Sequence, residues 1–393
     1  MKWNFDDIID RNGQHSIKWD YAKELFGNED VLPMWVADMD FANPPTVVDE
    51  LKKLVEQQIL GYSFPSDSLY KSIIDWQKER HNLHLKPQDV LFSPGVVPSI
   101  ALIIQTFTKE QDAVLIHDPV YNPFEQLVTL NNRRAIRSPL LIEDNLFKMD
   151  FAAIEQQFKQ EKVRLVILSN PHNPGGRVWT REELIQLATL CQKYQVVLCS
   201  DEIHGDLVYK SENFVSVAAI DEHYQDFVIT LTAATKTFNL AGIKNSMIFV
   251  QNETLRNAIK HVQAKTEQNS INTFGYIATE AAFKTGGPWL EDLLAYLKIN
   301  LETICTFFDT ELPQVHYMRP QGTYLFWFDC STLGIPDEQL IHHFAQVGKI
   351  GLNAGSTYGP KGTQYMRLNF AAPHATVIEG LNRIKIAFDH SNR

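Results

Sequence analysis

The chain has 393 residues, 44% of them apolar and 21% charged. That length allows a large core without disulfides or structural metals, and the balance excludes a disordered protein. Thirty-six Lys and Arg against 47 Asp and Glu leave a net charge of −11, which argues against a surface built to neutralise nucleic-acid phosphates.

The first forty-odd residues predict irregular structure, closed by Pro44-Pro45. Val47, Val48, Leu51, Leu54, Val55 and Ile59 then recur at helical spacing, and a second helix is expected from Ser66, burying Leu69, Ile73 and Trp76. From about residue 89, short β-rich runs alternate with helical ones. The runs are 89–93, 113–117, 163–169, 196–200, 227–231 and 247–250. They are nearly continuous in apolar residues, as strands covered on both faces are. Thr180-Arg181-Glu182-Glu183 reads as a capping box opening a helix. The alternation predicts an α/β protein with a mostly parallel sheet between helices, in a large domain over 45–285. After Gly286-Gly287-Pro288, a long helix, a strand at 323–328, a helix at 337–347, a strand near 366–370 and a last helix predict a smaller α/β domain over 286–393. Thr376-Val377-Ile378-Glu379 reads as the capping box of that last helix. Residues 1–44 are expected to join the small domain.

Open parallel sheets bind ligands beyond the carboxyl ends of their strands. There the first predicted strand runs into Pro94-Gly95-Val96-Val97-Pro98, a glycine turn feeding a helix N-terminus, which suits an anion or is only a turn. The next runs into Asp118-Pro119-Val120-Tyr121, an aromatic able to stack on a planar ligand or merely to pack at a rim. Asn170-Pro171-His172-Asn173-Pro174-Gly175-Gly176 is a tight loop whose amides suit either turn geometry or a ligand oxygen. Asp201-Glu202-Ile203-His204 places a carboxylate and an imidazole at one strand end. Thr235-Lys236-Thr237-Phe238 sets a lysine in an apolar context, where desolvation would lower its pKa and make it a better nucleophile. Together these are an anion seat, an aromatic face, an amide, a carboxylate and an amine. That is the set needed to hold pyridoxal 5′-phosphate (PLP).

Ser169 to Gly176, Ser200-Asp201-Glu202-Ile203-His204, Thr235-Lys236-Thr237-Phe238-Asn239-Leu240-Ala241-Gly242 and Arg367-Leu368-Asn369-Phe370 resemble, in order and spacing, the fold-type I PLP enzymes of the class I/II aminotransferase group. Trp35-Val36-Ala37-Asp38-Met39-Asp40-Phe41 and the histidine at 204 resemble the cystathionine β-lyase and cysteine-S-conjugate β-lyase (C–S lyase) branch. The resemblance implies that Lys236 forms the Schiff base and moves the Cα proton. It places Asp201 on the ring nitrogen, Asn173 on the ring oxygen, Tyr121 on the ring face and His204 beside the cofactor. The Val96 and Val97 amides would seat the phosphate, and Tyr62 would reach the phosphate in a partner subunit. Arg367, with Trp35 and Asn173, would hold the substrate, and its guanidinium suits a two-pronged grip on the α-carboxylate. Many relatives carry a serine three residues before the lysine and an arginine eight after it. Here these are Ala233 and Lys244, so Thr235 and Lys244 would serve the phosphate, although Lys244 reads equally as a solvated lysine.

The implied activity is αβ-elimination of cystathionine or a related cysteine S-conjugate to thiol, pyruvate and ammonia, by a homodimer with shared sites acting on a small sulfur amino acid. Transamination by the same residues is the alternative, and a regulatory binding role is a second one. No metal is called for: His81 and His84 read as a solvated helix face, and His342-His343 as structural. Cys191, Cys199, Cys305 and Cys330 lie singly in apolar stretches, as buried thiols of a reducing compartment do. The acidic start and the lack of an apolar run near ~18 residues predict a cytoplasmic protein without a membrane span.

Overall fold

A computed structural model describes residues 2–390. Seven strands form the central sheet: β1 (Val90–Ser93), β2 (Ala113–Asp118), β3 (Arg134–Pro139), β4 (Val163–Ser169), β5 (Val197–Asp201), β6 (Val228–Thr232) and β7 (Ser246–Phe249). Their order is β1-β7-β6-β5-β4-β2-β3. β2 to β6 pair in parallel, and β7 runs antiparallel to both neighbours. The apolar runs are strands buried along their length; every residue of β2 and β6 is buried. β3 was not foreseen. It is one of the two edge strands, flanked on one side only, so Arg134 and Arg137 can reach Glu161 and Glu125 while the backbone pairs with β2. The adjoining hairpin of Leu141–Glu143 and Leu146–Lys148 was also missed; its first strand is exposed throughout and carries no burial signal.

Helices α1 (Pro45–Glu56) and α2 (Asp67–His81) precede the sheet, and α3 (Val96–Phe107) follows β1 directly. Ser66 caps α2 by accepting from Leu69 N at 3.0 Å, and Leu69, Ile73 and Trp76 are buried as their spacing predicts. α4 (Arg181–Tyr194) opens with the predicted capping box of Thr180 and Glu183. The long α5 (Gly287–Glu311) buries Leu290, Leu293, Leu297, Leu301, Ile304 and Phe308 completely along one stripe. Each such side chain contributes about 1.5–3 kcal/mol of transfer free energy.

A second sheet holds β8 (Tyr317–Met318), β9 (Leu325–Asp329), β10 (Asn353–Ala354) and β11 (Tyr365–Asn369), all antiparallel in the order β8-β9-β11-β10. Helices α6 (Asp337–Gln346) and α7 (His374–Asp389) accompany it. The capping box at Thr376 does not form. Pro373 is the N-cap, and Tyr296 Oη accepts from His374 N at 2.7 Å, so α7 starts earlier and Thr376 lies inside its first turn. The N-terminal segment is less irregular than its sequence suggests: Ala22–Phe26 is helical, and Leu32–Pro33 pairs in parallel with Ile350–Gly351. All four cysteines are buried and free. No helix among the described residues is long and apolar enough to cross a membrane.

Candidate active site

The carboxyl ends of β1, β2, β4, β5 and β6 open onto one cavity of about 600 Å³. It is lined by Trp35, Val96, Val97, Tyr121, Asn173, Asp201, His204, Thr235, Lys236, Lys244 and Arg367. Every site residue expected from sequence is therefore present except Tyr62, which is fully exposed and lies outside this chain's own cavity.

At the anion end, α3 begins at Val96 directly after Gly95. The first turn of a helix has no internal partner for its N–H groups, and Pro98 has none to offer. The helix thus presents the Val96 and Val97 amides, with the positive end of its dipole, to the cavity. Lys244 is exposed and adopts a left-handed conformation with φ 56° on the same rim. Ala233 is the N-cap of the single turn Ala234–Thr237 and makes no side-chain cap.

At the centre, Asp201 ends β5, and its Oδ1 accepts from Ile203 N at 3.1 Å. Burial pushes this carboxyl up to about 7, only partly offset by that amide and by Lys236. Burial also pulls the Lys236 amine down to about 8, against the attraction of Asp38. Lys236 Nζ donates to the carbonyl of Ala37 at 2.5 Å, and the Tyr324 hydroxyl donates to the same oxygen at 3.0 Å. His204 is buried beside Tyr324, with ring centroids 6.0 Å apart; desolvation holds it neutral, at about 3, and its Nδ1 has no partner. Tyr121 lies at the cavity wall, its ring nearly perpendicular to that of Phe124 with centroids 5.8 Å apart.

At the far end Arg367 is 4% exposed. Its Nη1 donates to Asn173 Oδ1 at 3.1 Å, and its Nη2 to Asn353 Oδ1 and to the Trp35 carbonyl at 2.7 Å each. All three acceptors are neutral, and Nε has no partner. A buried guanidinium in neutral surroundings is a seat for a carboxylate. Asn173, a residue of the cavity lining, spends its oxygen on Arg367, which leaves its Nδ2 as its free donor. Trp35 contributes its carbonyl, and its indole Nε1 donates to Lys18 O at 3.0 Å.

Sequence reading missed Asn353 and Tyr358. Tyr358 lies with its ring 5.2 Å from the Arg367 guanidinium. Asn353 lies in β10, and Tyr358 ends the turn Gly355–Tyr358 that follows it. It also misplaced His81. Instead of a solvated face, His81 Nε2 meets the buried Asp206 at 2.8 Å, because the end of α2 tucks under the loop after β5. His84 is exposed as expected.

Fold and site together define a class of protein, and the chain belongs to the aminotransferase class I and II family, whose model matches residues 29–384. It is 39% identical over 384 residues to cystathionine beta-lyase PatB of Bacillus subtilis (strain 168), covering 98% of this chain and 99% of that protein. Among solved structures, cystalysin from Treponema denticola, which contains a pyridoxal 5′-phosphate cofactor, superposes with a TM-score of 0.96 at 32% identity over 99% of each chain. The PLP-bound C–S lyase from Staphylococcus hominis gives 0.93 at 30% identity, over 99% of this chain and 98% of its own.

Proposed function

We propose that this protein is a PLP-dependent carbon–sulfur β-lyase. It cleaves cystathionine or a related cysteine thioether, with uptake of water, to a thiol, pyruvate and ammonia. The observation that carries this reading is the meeting of Lys236 and Asp201, from adjacent strand ends, with the carboxylate seat Arg367 in one cavity. The residues fit the cofactor. Asp201 is a buried carboxylate without a cationic hydrogen-bond partner, His204 Nδ1 is orphaned, and the α3 N-terminus is unspent.

When bound, PLP supplies an aldehyde that links to amines and a ring that accepts the electron pair left at Cα. Asp201 would hold a proton at the ring nitrogen, the role a buried carboxylate of raised pKa can fill once a cation faces it. Asn173 Nδ2 would donate to the ring oxygen, Tyr121 would cover the ring face, and the Val96 and Val97 amides, with Thr235 and Lys244 at the rim, would take the phosphate. Arg367 grips the α-carboxylate in two prongs, which fixes how Cα–H is presented. Lys236, held near neutral pKa, removes that proton as a general base. His204, kept neutral by burial, would stand beside the cofactor and tune it.

The same side chains would serve an aminotransferase, the description under which the family is known. The test is a cysteine thioether given to PLP-loaded protein without any 2-oxo acid. Sustained release of thiol and pyruvate establishes the lyase. One turnover that stops with pyridoxamine phosphate establishes the transaminase, and no turnover of any amino acid leaves a regulatory role.

The active form in this reading is a cytoplasmic homodimer. Ile59, Leu60, Tyr62 and Phe64 are all more than half exposed in one short segment, an apolar run that a second copy would cover while Tyr62 reaches its phosphate. Sedimentation that found an active monomer would overturn this. The division into 1–44, 45–285 and 286–393 belongs to the same reading, supported by the pairing of Leu32–Pro33 with the second part of the chain.

A further inference from the structure

Lys236 sits on a helix of one turn, Ala234–Thr237, whose N-cap makes no side-chain bond. An isolated turn has no cooperative stability of its own. Its orientation must come from tertiary anchors, and the residue immediately after the lysine has one. Thr237 Oγ1 donates to Asp206 Oδ2 at 2.9 Å.

Asp206 is buried and lies five residues after Asp201 on the loop that also carries His204. Its other oxygen, Oδ1, accepts from Trp76 Nε1 at 3.0 Å, meets His81 Nε2 at 2.8 Å and lies 3.5 Å from Arg80 Nε. All three belong to α2. Trp76 also packs against Phe238, two residues beyond Lys236, with ring centroids 5.6 Å apart. A carboxylate has about four acceptor positions on two oxygens. Here one oxygen is filled from α2 and the other faces Thr237. Arg80 keeps the buried charge from standing uncompensated, and Glu291 accepts from Arg80 Nη1 at 3.1 Å.

We infer that Asp206 is a positioning residue for Lys236. It fastens the lysine's turn to the Asp201 loop and to α2, and so fixes where the amine stands relative to the Asp201 carboxylate. The inference rests on the proposed role of Lys236, and it reaches past that role to the device that aims it. A misplacement of about 1 Å at a reacting group costs on the order of 100-fold in rate. Fixing the lysine's neighbour on a hydroxyl–carboxylate bond is therefore a functional matter as well as a folding one.

The decisive variants are Thr237→Val and Thr237→Ser, because Asp206→Asn strips charge from a buried cluster and risks misfolding. Valine keeps the volume of threonine and removes the donor; serine keeps the donor and removes the methyl. Three quantities are read. They are the rate at which PLP-free protein captures added PLP covalently (followed by visible absorbance), kcat and KM for a cysteine thioether, and the melting temperature. Thr237→Val is expected to slow capture and lower kcat about tenfold each, the loss of one hydrogen bond to a charged group, with KM within about twofold because Arg367 is untouched. Thr237→Ser is expected to restore both rates. Wild-type rates in Thr237→Val would overturn the inference, as would Thr237→Ser being as slow as Thr237→Val, or rates that follow the melting temperature alone. A wild-type protein that captures no PLP would instead overturn the cofactor reading beneath it.

Discussion

Asp201 and Lys236 extend from adjacent parallel strands, and the same burial drives their acidities towards each other. The carboxyl rises to about 7 and the amine falls to about 8. Each charge taken alone is costly in that cavity. A ligand that brings a cation to Asp201 and consumes the charge on Lys236 relieves both costs, so the site is organised around a group that the chain itself does not contain.

That pairing has a signature in the PLP-free protein. Asp201 titrates near 7 when folded and near its ordinary 3.8 when unfolded, so its ionisation costs stability progressively as pH rises from about 4 to 7. Asp201→Asn carries no such cost. Without PLP, the variant should melt higher than wild type at pH 7.5, with its advantage shrinking as pH falls and vanishing below about pH 4. With PLP the order should reverse, because asparagine cannot hold the ring proton. Melting curves across pH check both halves, and a pH-independent difference would contradict the shift.

Lys236→Ala should lose covalent attachment of PLP and about 100- to 10,000-fold of turnover, the range for removing a general base. Visible absorbance and thiol release measure the two effects. Persistence of either one shows that this lysine does not do that work.

Arg367→Ala should raise KM by roughly ten- to a hundred-fold, the worth of a charge-assisted hydrogen bond at about 1.5–3 kcal/mol. Arg367→Lys should fall between, since an ammonium cannot match the planar two-pronged grip. Saturation kinetics with one thioether across the three proteins decide it. Unchanged KM in Arg367→Ala would place the carboxylate elsewhere.

Residues 35–37 form a strap along the cavity wall, held through the neighbouring Asp38 and Asp40 from the N-terminal segment. Lys18, 1% exposed, lies 2.6 Å from Asp40 Oδ2, and Arg11 donates to Asp38 and Asp40, while the strap's Trp35 and Ala37 carbonyls accept from Arg367 and Lys236. Lys18→Met removes one of the two cations on buried Asp40 and leaves Arg11 in place, so it should cost about 1.5–3 kcal/mol of stability. It should also lower kcat/KM about tenfold, within the ~100-fold that a 1 Å misplacement costs. Chemical denaturation and steady-state kinetics measure these. A stable variant with reduced activity would mean that the pair serves catalysis alone.

The sequence revealed the site best where chemistry and topology coincide. Tyr121, Asn173, Asp201 and Lys236 each follow a strand long and apolar enough to be recognised, so the sheet delivers them to one edge. Asn353 and Tyr358 carry no periodic signal: the first lies in β10, only two residues long, and the second ends the short turn Gly355–Tyr358 that follows it. Edge strand β3 escaped because its charged side chains look like a surface loop. His81 was misread because its partner, Asp206, is 125 residues away and nothing local marks a helix end as buried. Thr376 shows the reverse error: a valid capping pattern lost to a tertiary bond from Tyr296 that sets the helix start earlier.

The most direct test is chemical. PLP-loaded protein is reduced with borohydride, digested, and the modified peptide located by mass spectrometry. Pyridoxyl on Lys236 is the predicted result. Pyridoxyl on Lys244 or any other lysine, or none at all, would contradict the account.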